Sequence, residues 1–255
     1  MTREEYDALP GANFSTLKYL LLSGAHYKAA LAQKEEETAE DKLRFAVGTL
    51  THAMVLEGKN LLSLYAVKPE GMSFATKEGK AWRAEQTLPI LDSESAIKIP
   101  RMAEAVAANP LARNIILRCP NREFPLQAEI DGVLCKGLLD LHGRDKAGIF
   151  TIPDYKTTTD AQDFAFRHKV QFQFHYDLQS ELYKALAREC DQGDCEPLWI
   201  VQETNPPYEV MVYSPSNDLR VSGQDKLQTV LSRYREYEAS GKWPGYPNNN
   251  QINAL

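Results

Sequence analysis

The chain has 255 residues, of which 43% are hydrophobic and 25% are charged, and its formal net charge is −6. This composition is typical of a soluble globular protein, and no apolar run reaches the length of a membrane span. The first residues lack the basic and apolar segments of a secretory signal, so we expect a cytoplasmic protein. The negative charge argues against a protein covered by nucleic acid, but it does not exclude a local nucleic-acid channel, which needs only a locally basic lining.

The cysteines predict reduced thiols rather than a metal site. None of the four forms a C-x-x-C pair, and no histidine pattern completes a zinc site. Cys190 and Cys195 flank a polar turn and are close enough in sequence to meet. Free thiols are nevertheless the expected state in a cytosolic chain.

The N-terminal part of the chain predicts two helices. The first is capped at Asn13 or Ser15 and is expected to reach about residue 33. The second is expected over about residues 42–57, where Gly58 is well placed to end it. It carries His52 among small residues, which would allow close packing against another element. A histidine in this setting is either a hydrogen-bonded core residue or a metal ligand.

The next segment is predicted to be mixed. Residues 61–67 resemble a strand, and residues 75–118 are expected to form helices broken near Pro89 and Pro110.

Three consecutive antiparallel strands are predicted in the centre of the chain, in the segments EFPLQAEID, VLCKGLLDLH and GIFTIPDYK. Residues 160–190 are then expected to be helical. Two further strands, LWIVQET and YEVMVYS, join at the Asn205–Pro206–Pro207 turn, and a long helix covers about residues 217–240. The fold class is therefore α/β or α+β, with a mixed sheet of about five strands flanked by helices.

No clean linker divides the chain, so we expect a single domain over residues 1–255. Residues 1–118 would be a mostly helical elaboration, residues 119–246 the core, and residues 247–255 a tail.

Asp140, Asp154 and Lys156 are the most informative residues. Asp140 closes one predicted strand, and the next strand delivers Asp154 and Lys156. Residues two apart on a strand point to the same face, so Asp154 and Lys156 project together while Tyr155 points away. Two carboxylates and a lysine suit metal-dependent phosphodiester hydrolysis, because the carboxylates hold a hard cation and the lysine supplies positive charge. A D-x-K sequence can equally be a solvated strand terminus.

Three further residues are candidates on weaker grounds. Glu129 lies in an apolar strand and is either a buried acid that needs a partner or an exposed residue near a turn. Gln179 and Tyr183 are four apart and share one helix face, where they could orient phosphate or water or could simply form a polar surface.

Taken together, these residues resemble the PD-(D/E)XK nuclease superfamily, and most closely its RecE-type (exonuclease VIII) and RecB-like phage and prophage exonucleases. The resemblance covers roughly residues 12–246. Its motifs occur in order as a helical histidine in GTLTHAMVLE, a glutamate in QAEIDG, an aspartate in GLLD, the sequence DYKTT, and a Q-x-x-x-Y helix. One departure is Pro153, where a strand residue is expected; proline removes a ladder donor, so this part of the strand must be an edge or a bulge.

The resemblance implies a restriction-endonuclease-like core and a division of roles. His52, Asp140 and Asp154 would hold Mg²⁺ or Mn²⁺ with the Tyr155 carbonyl. Lys156 would position or activate the attacking water. The remaining three candidates would support them: Glu129 as a further acid, Gln179 by orienting Lys156 or phosphate, and Tyr183 as a supporting contact.

The resemblance also implies 5′→3′ degradation of linear double-stranded DNA from its ends, as in phage recombination. Such enzymes assemble as homo-oligomeric rings, here a trimer or tetramer, and hand the 3′ strand to a single-strand annealing protein. Two other functions remain open: an endonuclease or a single-strand or structure-specific nuclease with the same core, and a DNA-binding module with a decayed site.

Overall fold

A computed structural model of the protein describes residues 3–32, 39–60, 62–144 and 148–246. The predicted C-terminal tail, residues 247–255, lies outside them. In this part of the chain the helices are α1 (Arg3–Ala8), α2 (Phe14–Leu17), α3 (Gly24–Ala32), α4 (Ala39–Glu57), α5 (Lys77–Glu85), α6 (Ser93–Ala108), α7 (Pro110–Arg118), α8 (Asp163–His168), α9 (Tyr176–Glu189) and α10 (Asn217–Ser240). The strands are β1 (Ala66–Val67), β2 (Ile90–Leu91), β3 (Asn121–Ile130), β4 (Val133–Arg144), β5 (Phe150–Thr158), β6 (Cys195–Glu203) and β7 (Val210–Tyr213).

The main sheet has five strands in the order β3-β4-β5-β6-β7. Only β5 and β6 are parallel, and α8 and α9 form the crossover that a parallel connection requires. This confirms the predicted mixed sheet flanked by helices.

Helices cover both faces of the sheet. On one face α9 packs against β3, β4 and β6, and α10 packs on the outside of α9. The core on this side is built from apolar residues such as Leu139, Leu178 and Leu182, which are fully buried. On the other face α7 packs against β4 and β7, and Leu141 and Ile200 lie in its core. The sheet is therefore held between two packed layers of helices.

The prediction of one continuous helix near the N-terminus is wrong. Asn13 caps only the short α2, by accepting a hydrogen bond from the Thr16 N–H, and a 3-10 turn follows over Lys18–Leu21. The next helix, α3, begins at Gly24, where an added Cβ would lie 3.0 Å from backbone atoms of Trp243. The break turns α3 so that Tyr27 stacks on Trp243, with ring centroids 5.0 Å apart.

Two other predicted elements are also altered. In the segment predicted as a strand over 61–67, the structure has a 3-10 turn at Leu62–Leu64 and only a two-residue strand at Ala66–Val67, while residue 61 is outside the described residues. The predicted helix over 160–190 is interrupted by a π-helical turn at Lys169–Gln173 and by His175, whose φ of 57° is left-handed.

Other boundaries agree with the prediction. Gly58 follows α4 with a φ of 65°, a conformation that glycine adopts readily, and Pro110 is the first residue of α7. The closing helix has the predicted bounds. The four cysteines are free thiols, as expected. None of the helices in the described part of the chain has the length and apolarity that a bilayer crossing needs.

Candidate active site

The strands β4 and β5 separate where the two candidate aspartates lie. These strands pair only at Gly143–Thr151 and Arg144–Phe150, and beyond that point β5 continues to pair with β6 alone. Pro153 lies in the part of β5 that has lost its β4 partner, which suits a residue without an N–H. The Asp140 carboxylate fills the opening and accepts a hydrogen bond from the Tyr155 N–H at 3.1 Å. A side chain thus replaces the missing strand partner.

Asp154 and Lys156 lie together on one face of β5. Lys156 Nζ is 2.5 Å from Asp154 Oδ2, and each side chain is only 13% exposed. Burial and the nearby Asp140 charge raise the pKa of Asp154 to about 6, although the Lys156 charge opposes this. Burial by itself would lower the pKa of Lys156, but Asp154, Tyr176 and Asp140 raise it above its ordinary value. Lys156 therefore carries a positive charge into a largely dehydrated site.

His52 reaches this site from α4. Its Nε2 atom is 3.3 Å from Asp140 Oδ1, and a quarter of its side chain is exposed. Burial would lower the pKa of His52, but the hydrogen bond to Asp140 and the charges of Asp140, Asp154 and Glu123 raise it. The same contact with His52 holds the pKa of Asp140 below its ordinary value, against the effect of burial.

The Tyr155 side chain points away from the aspartates and anchors the strand from behind. Its hydroxyl donates to the Oε1 atom of the fully buried Gln202, whose Nε2 atom in turn donates to the Met102 carbonyl at 2.7 Å. Only the backbone of Tyr155 is on the side of the aspartates, as the alternation along β5 predicts.

Gln179 connects the two halves of the Asp154–Lys156 pair. Its Oε1 atom accepts a hydrogen bond from Lys156 Nζ at 3.0 Å, and its Nε2 atom lies 3.4 Å from Asp154 Oδ1 and 3.1 Å from the Tyr183 hydroxyl. Tyr183 approaches β4 at Gly137, where an added Cβ would be 2.8 Å from its ring. The absence of a side chain at Gly137 therefore allows the Tyr183 ring to approach the strand closely.

A buried ion pair holds α9, which carries Gln179 and Tyr183, against α10. Asp177 is fully buried, and Lys226 Nζ lies 2.7 Å from its carboxylate. The Ser222 hydroxyl donates to the same carboxylate at 2.7 Å. Breaking such a pair would leave an uncompensated buried charge, so the position of α9 is strongly determined.

A sequence profile described as a PDDEXK-like domain of unknown function (DUF3799) matches residues 13–253. The chain belongs to this family. No curated protein matches it in sequence.

A solved structure of low sequence identity has the same fold. The crystal structure of a candidate exonuclease from Eubacterium rectale superposes with a TM-score of 0.64 at 10% identity, covering 100% of this chain and 95% of that one. The crystal structure of SSO0001 gives a TM-score of 0.28 at 15% identity, over 72% of this chain and 86% of that one, which is too low to indicate a shared fold. The family and the fold together support a nuclease.

Glu129 lies away from the other predicted site residues. It is exposed and pairs with Leu134, one step from the β3–β4 turn. Another acid of β3, Glu123, lies opposite Asp140 by register, since Phe124 pairs with Leu139 and Arg122 pairs with Leu141. Glu129 is six residues further along the strand, a distance of about 20 Å.

Two residues near Lys156 lacked a sequence signal strong enough to assign them to the site. The ring of Tyr176, the first residue of α9, has its centroid 4.1 Å from Lys156 Nζ. Lys18 lies over the rings of Phe14 and Tyr19, and burial together with the Lys156 charge lowers its pKa. Lys18 is therefore close enough to Lys156 for the two charges to interact.

PDDEXK nucleases generally use divalent metals, and the donor set here is of the right type. His52, Asp140, Asp154 and the Tyr155 carbonyl provide one nitrogen and several oxygens, which suits Mg²⁺ or Mn²⁺. Within the described ranges, no three His, Cys, Asp or Glu side chains already form a metal-binding group. However, Asp154 Oδ2 is buried and makes no hydrogen bond of good geometry there, although Lys156 lies beside it. That buried oxygen next to a second carboxylate fits a cation.

Proposed function

We propose that this protein is a metal-dependent 5′→3′ exodeoxyribonuclease that acts on linear double-stranded DNA. The observation that carries the proposal is the convergence of Asp140, Asp154 and Lys156 at the opening between β4 and β5, within a PDDEXK-like fold. This arrangement offers carboxylates for a cation and a positive charge for phosphate in one small, largely buried site.

His52, Asp140 and Asp154, with the Tyr155 carbonyl, would hold Mg²⁺ or Mn²⁺. When bound, the metal would supply Lewis-acid activation of the phosphate and of a water molecule.

The chain's own residues provide positioning and charge. Lys156 lies beside Asp154 and Gln179, where its Nζ can position or activate the water and stabilise negative charge on the phosphate. Gln179 holds Lys156 and Asp154 at a defined separation, and Tyr183 fixes the amide of Gln179. Glu123 adds negative charge near His52. This preorganisation avoids the rearrangement of charged groups during reaction.

In the cell we propose a role in phage or prophage recombination, in which 5′ strands are removed so that the remaining 3′ strands can anneal. The proposed partners are duplex DNA ends, further copies of the chain in a trimeric or tetrameric ring, and a single-strand annealing protein. Sedimentation of the purified protein, alone and with DNA, tests the oligomer.

The enzymatic test uses a linear duplex labelled at either the 5′ or the 3′ end, with Mg²⁺, Mn²⁺ or EDTA. Wild type should release the 5′ label only when metal is present, and Lys156→Ala should release none while remaining folded. Lys242→Ala is the matched control, because Lys242 is exposed beyond the end of α10. Preferential release of the 3′ label would contradict the polarity, and cleavage of closed circular DNA would favour an endonuclease. Failure to cleave any DNA with any metal would favour a decayed DNA-binding module.

A further inference from the structure

The segment that follows β5 has one buried and one exposed aromatic side. Phe166 of α8 and Val170 of the π-helical turn are buried against Trp199 and its neighbours. On the other side Phe164 is 86% exposed and Phe172 is 63% exposed. Isolated exposed apolar residues are normal, but two phenylalanines this exposed on one short helical segment are not explained by packing.

The exposed rings lie on one side of the segment. Phe164, His168 and Phe172 are spaced four apart along a helical run, so they share one side of it. The rings of His168 and Phe172 are in contact, with centroids 5.3 Å apart. We call Phe164, His168 and Phe172 the aromatic face.

The segment that carries the aromatic face contacts residues next to the candidate active site through its buried side. On its inner side Phe166 contacts Tyr176 at 6.4 Å between ring centroids, and Tyr176 in turn lies against Lys156. Lys169 donates hydrogen bonds to the hydroxyls of Thr158 and Thr159, at 2.5 and 3.2 Å. These threonines come two and three residues after Lys156. The aromatic face is therefore on the exposed side of the same short segment whose buried side contacts residues next to Lys156.

Basic side chains accompany the rings. Arg167, His168 and Lys169 are consecutive; Arg167 and His168 are exposed, and Lys169 is half-buried. Arg167 already forms an ion pair with Asp218 at 3.1 Å, an exposed contact that a phosphate could replace. Aromatic rings among positive charges are the combination by which proteins hold unpaired nucleotides, because bases stack on the rings and phosphates meet the charges.

We propose that the aromatic face binds unpaired bases of a DNA strand adjacent to the active site, through stacking on Phe164 and Phe172. The inference rests on the proposed nuclease function for the identity of the ligand. Beyond that function, the enzyme would bind single-stranded DNA next to the point of cleavage. An unpaired end should therefore bind more tightly than a blunt duplex.

The test measures binding in a Lys156→Ala background, so that DNA is not degraded. The probe is a single-stranded oligonucleotide of about 12 nucleotides carrying 2-aminopurine, compared with a blunt duplex of the same sequence. Phe164→Leu and Phe172→Leu keep an apolar side chain but remove the stacking surface. Each should weaken single-strand binding about tenfold, the effect of one lost base–aromatic stack, and reduce the quenching of 2-aminopurine. Leu117→Ala on α7 is the control, because it truncates another apolar residue that is 70% exposed.

Unchanged affinity and quenching in both phenylalanine variants would overturn the proposal, as would a parent protein that does not bind the single strand. A change in sedimentation of the free protein without a change in DNA binding would also overturn it, since the face would then be covered by a second copy of the chain. Cleavage by the wild type is read separately. If the phenylalanine substitutions weaken single-strand binding but the wild type cleaves no DNA, the nuclease function would be refuted. The proposal that the aromatic face binds unpaired bases would then still stand.

Discussion

The Asp140 carboxylate accepts the backbone N–H of Tyr155 at 3.1 Å, at a point where β4 and β5 no longer pair. One side chain therefore has two tasks. It satisfies a backbone donor that would otherwise lack a strand partner, and it brings its charge close to Asp154 and His52. The geometry of the candidate site is thus a consequence of how the sheet opens.

This double role predicts that charge and hydrogen bonding at Asp140 can be separated. Asp140→Asn keeps an oxygen that can accept the Tyr155 N–H but removes the charge, so nuclease activity should be lost with little change in stability. Asp140→Ala should lose activity and also about 1–3 kcal/mol of unfolding free energy, because the N–H is left unsatisfied. Chemical denaturation of the two variants checks this. Equal destabilisation of both would show that the hydrogen bond contributes nothing.

The close approach of Tyr183 to Gly137 predicts a coupled pair. Gly137→Ala places a methyl group 2.8 Å from the Tyr183 ring, so it should destabilise the protein by about 1–3 kcal/mol and displace the hydroxyl from Gln179. Activity should fall with it.

A double-mutant cycle provides the control for this prediction. In a Tyr183→Ala background the ring is absent, so adding Gly137→Ala should cost much less than it does alone. Additive effects of the two substitutions would mean that the contact is not what requires glycine at this position.

The relative positions of the two β3 glutamates predict different effects of their removal. Glu123→Gln should lower nuclease activity, because it removes a charge that acts on His52. Glu129→Gln alters an exposed residue away from the site, so activity should be unchanged and stability within about 0.5 kcal/mol of wild type. Initial rates on a linear duplex compare the pair. A larger loss of activity in Glu129→Gln than in Glu123→Gln would support the role that the resemblance implied for Glu129.

Lys18 is expected to contact a substrate phosphate, because it places a second positive charge close to Lys156. Lys18→Gln should weaken DNA binding for all sequences alike and should reduce the slope of log K against log salt by about 1. Lys28→Gln is the matched control, since Lys28 lies over the Trp243 ring, 5.2 Å from its centroid. If both substitutions change the salt dependence equally, the predicted contact between Lys18 and a substrate phosphate is wrong.

Much of the site could be predicted because its members are linked by short-range geometry. Asp154 and Lys156 share a face through the two-residue period of a strand, and Gln179 and Tyr183 through the four-residue spacing of a helix. The presence of three consecutive strands in the centre of the chain and the bounds of α10 follow equally from local periodicity and turn residues.

Contacts between distant segments could not be predicted in this way. That Glu123 rather than Glu129 lies opposite Asp140 depends on the register between β3 and β4, which sequence spacing leaves undetermined. The break between α2 and α3 lies where Gly24 and Tyr27 pack against Trp243, more than two hundred residues later.

The sequence by itself determined which chemical groups are present and which neighbours along the chain face the same way, since strand and helix periods set these relations. Only the tertiary structure decided that His52 reaches Asp140, that the Asp140 carboxylate accepts the Tyr155 N–H, and that Phe164 and Phe172 stay exposed. Those features come from packing between elements far apart in sequence, where many arrangements satisfy the same local preferences.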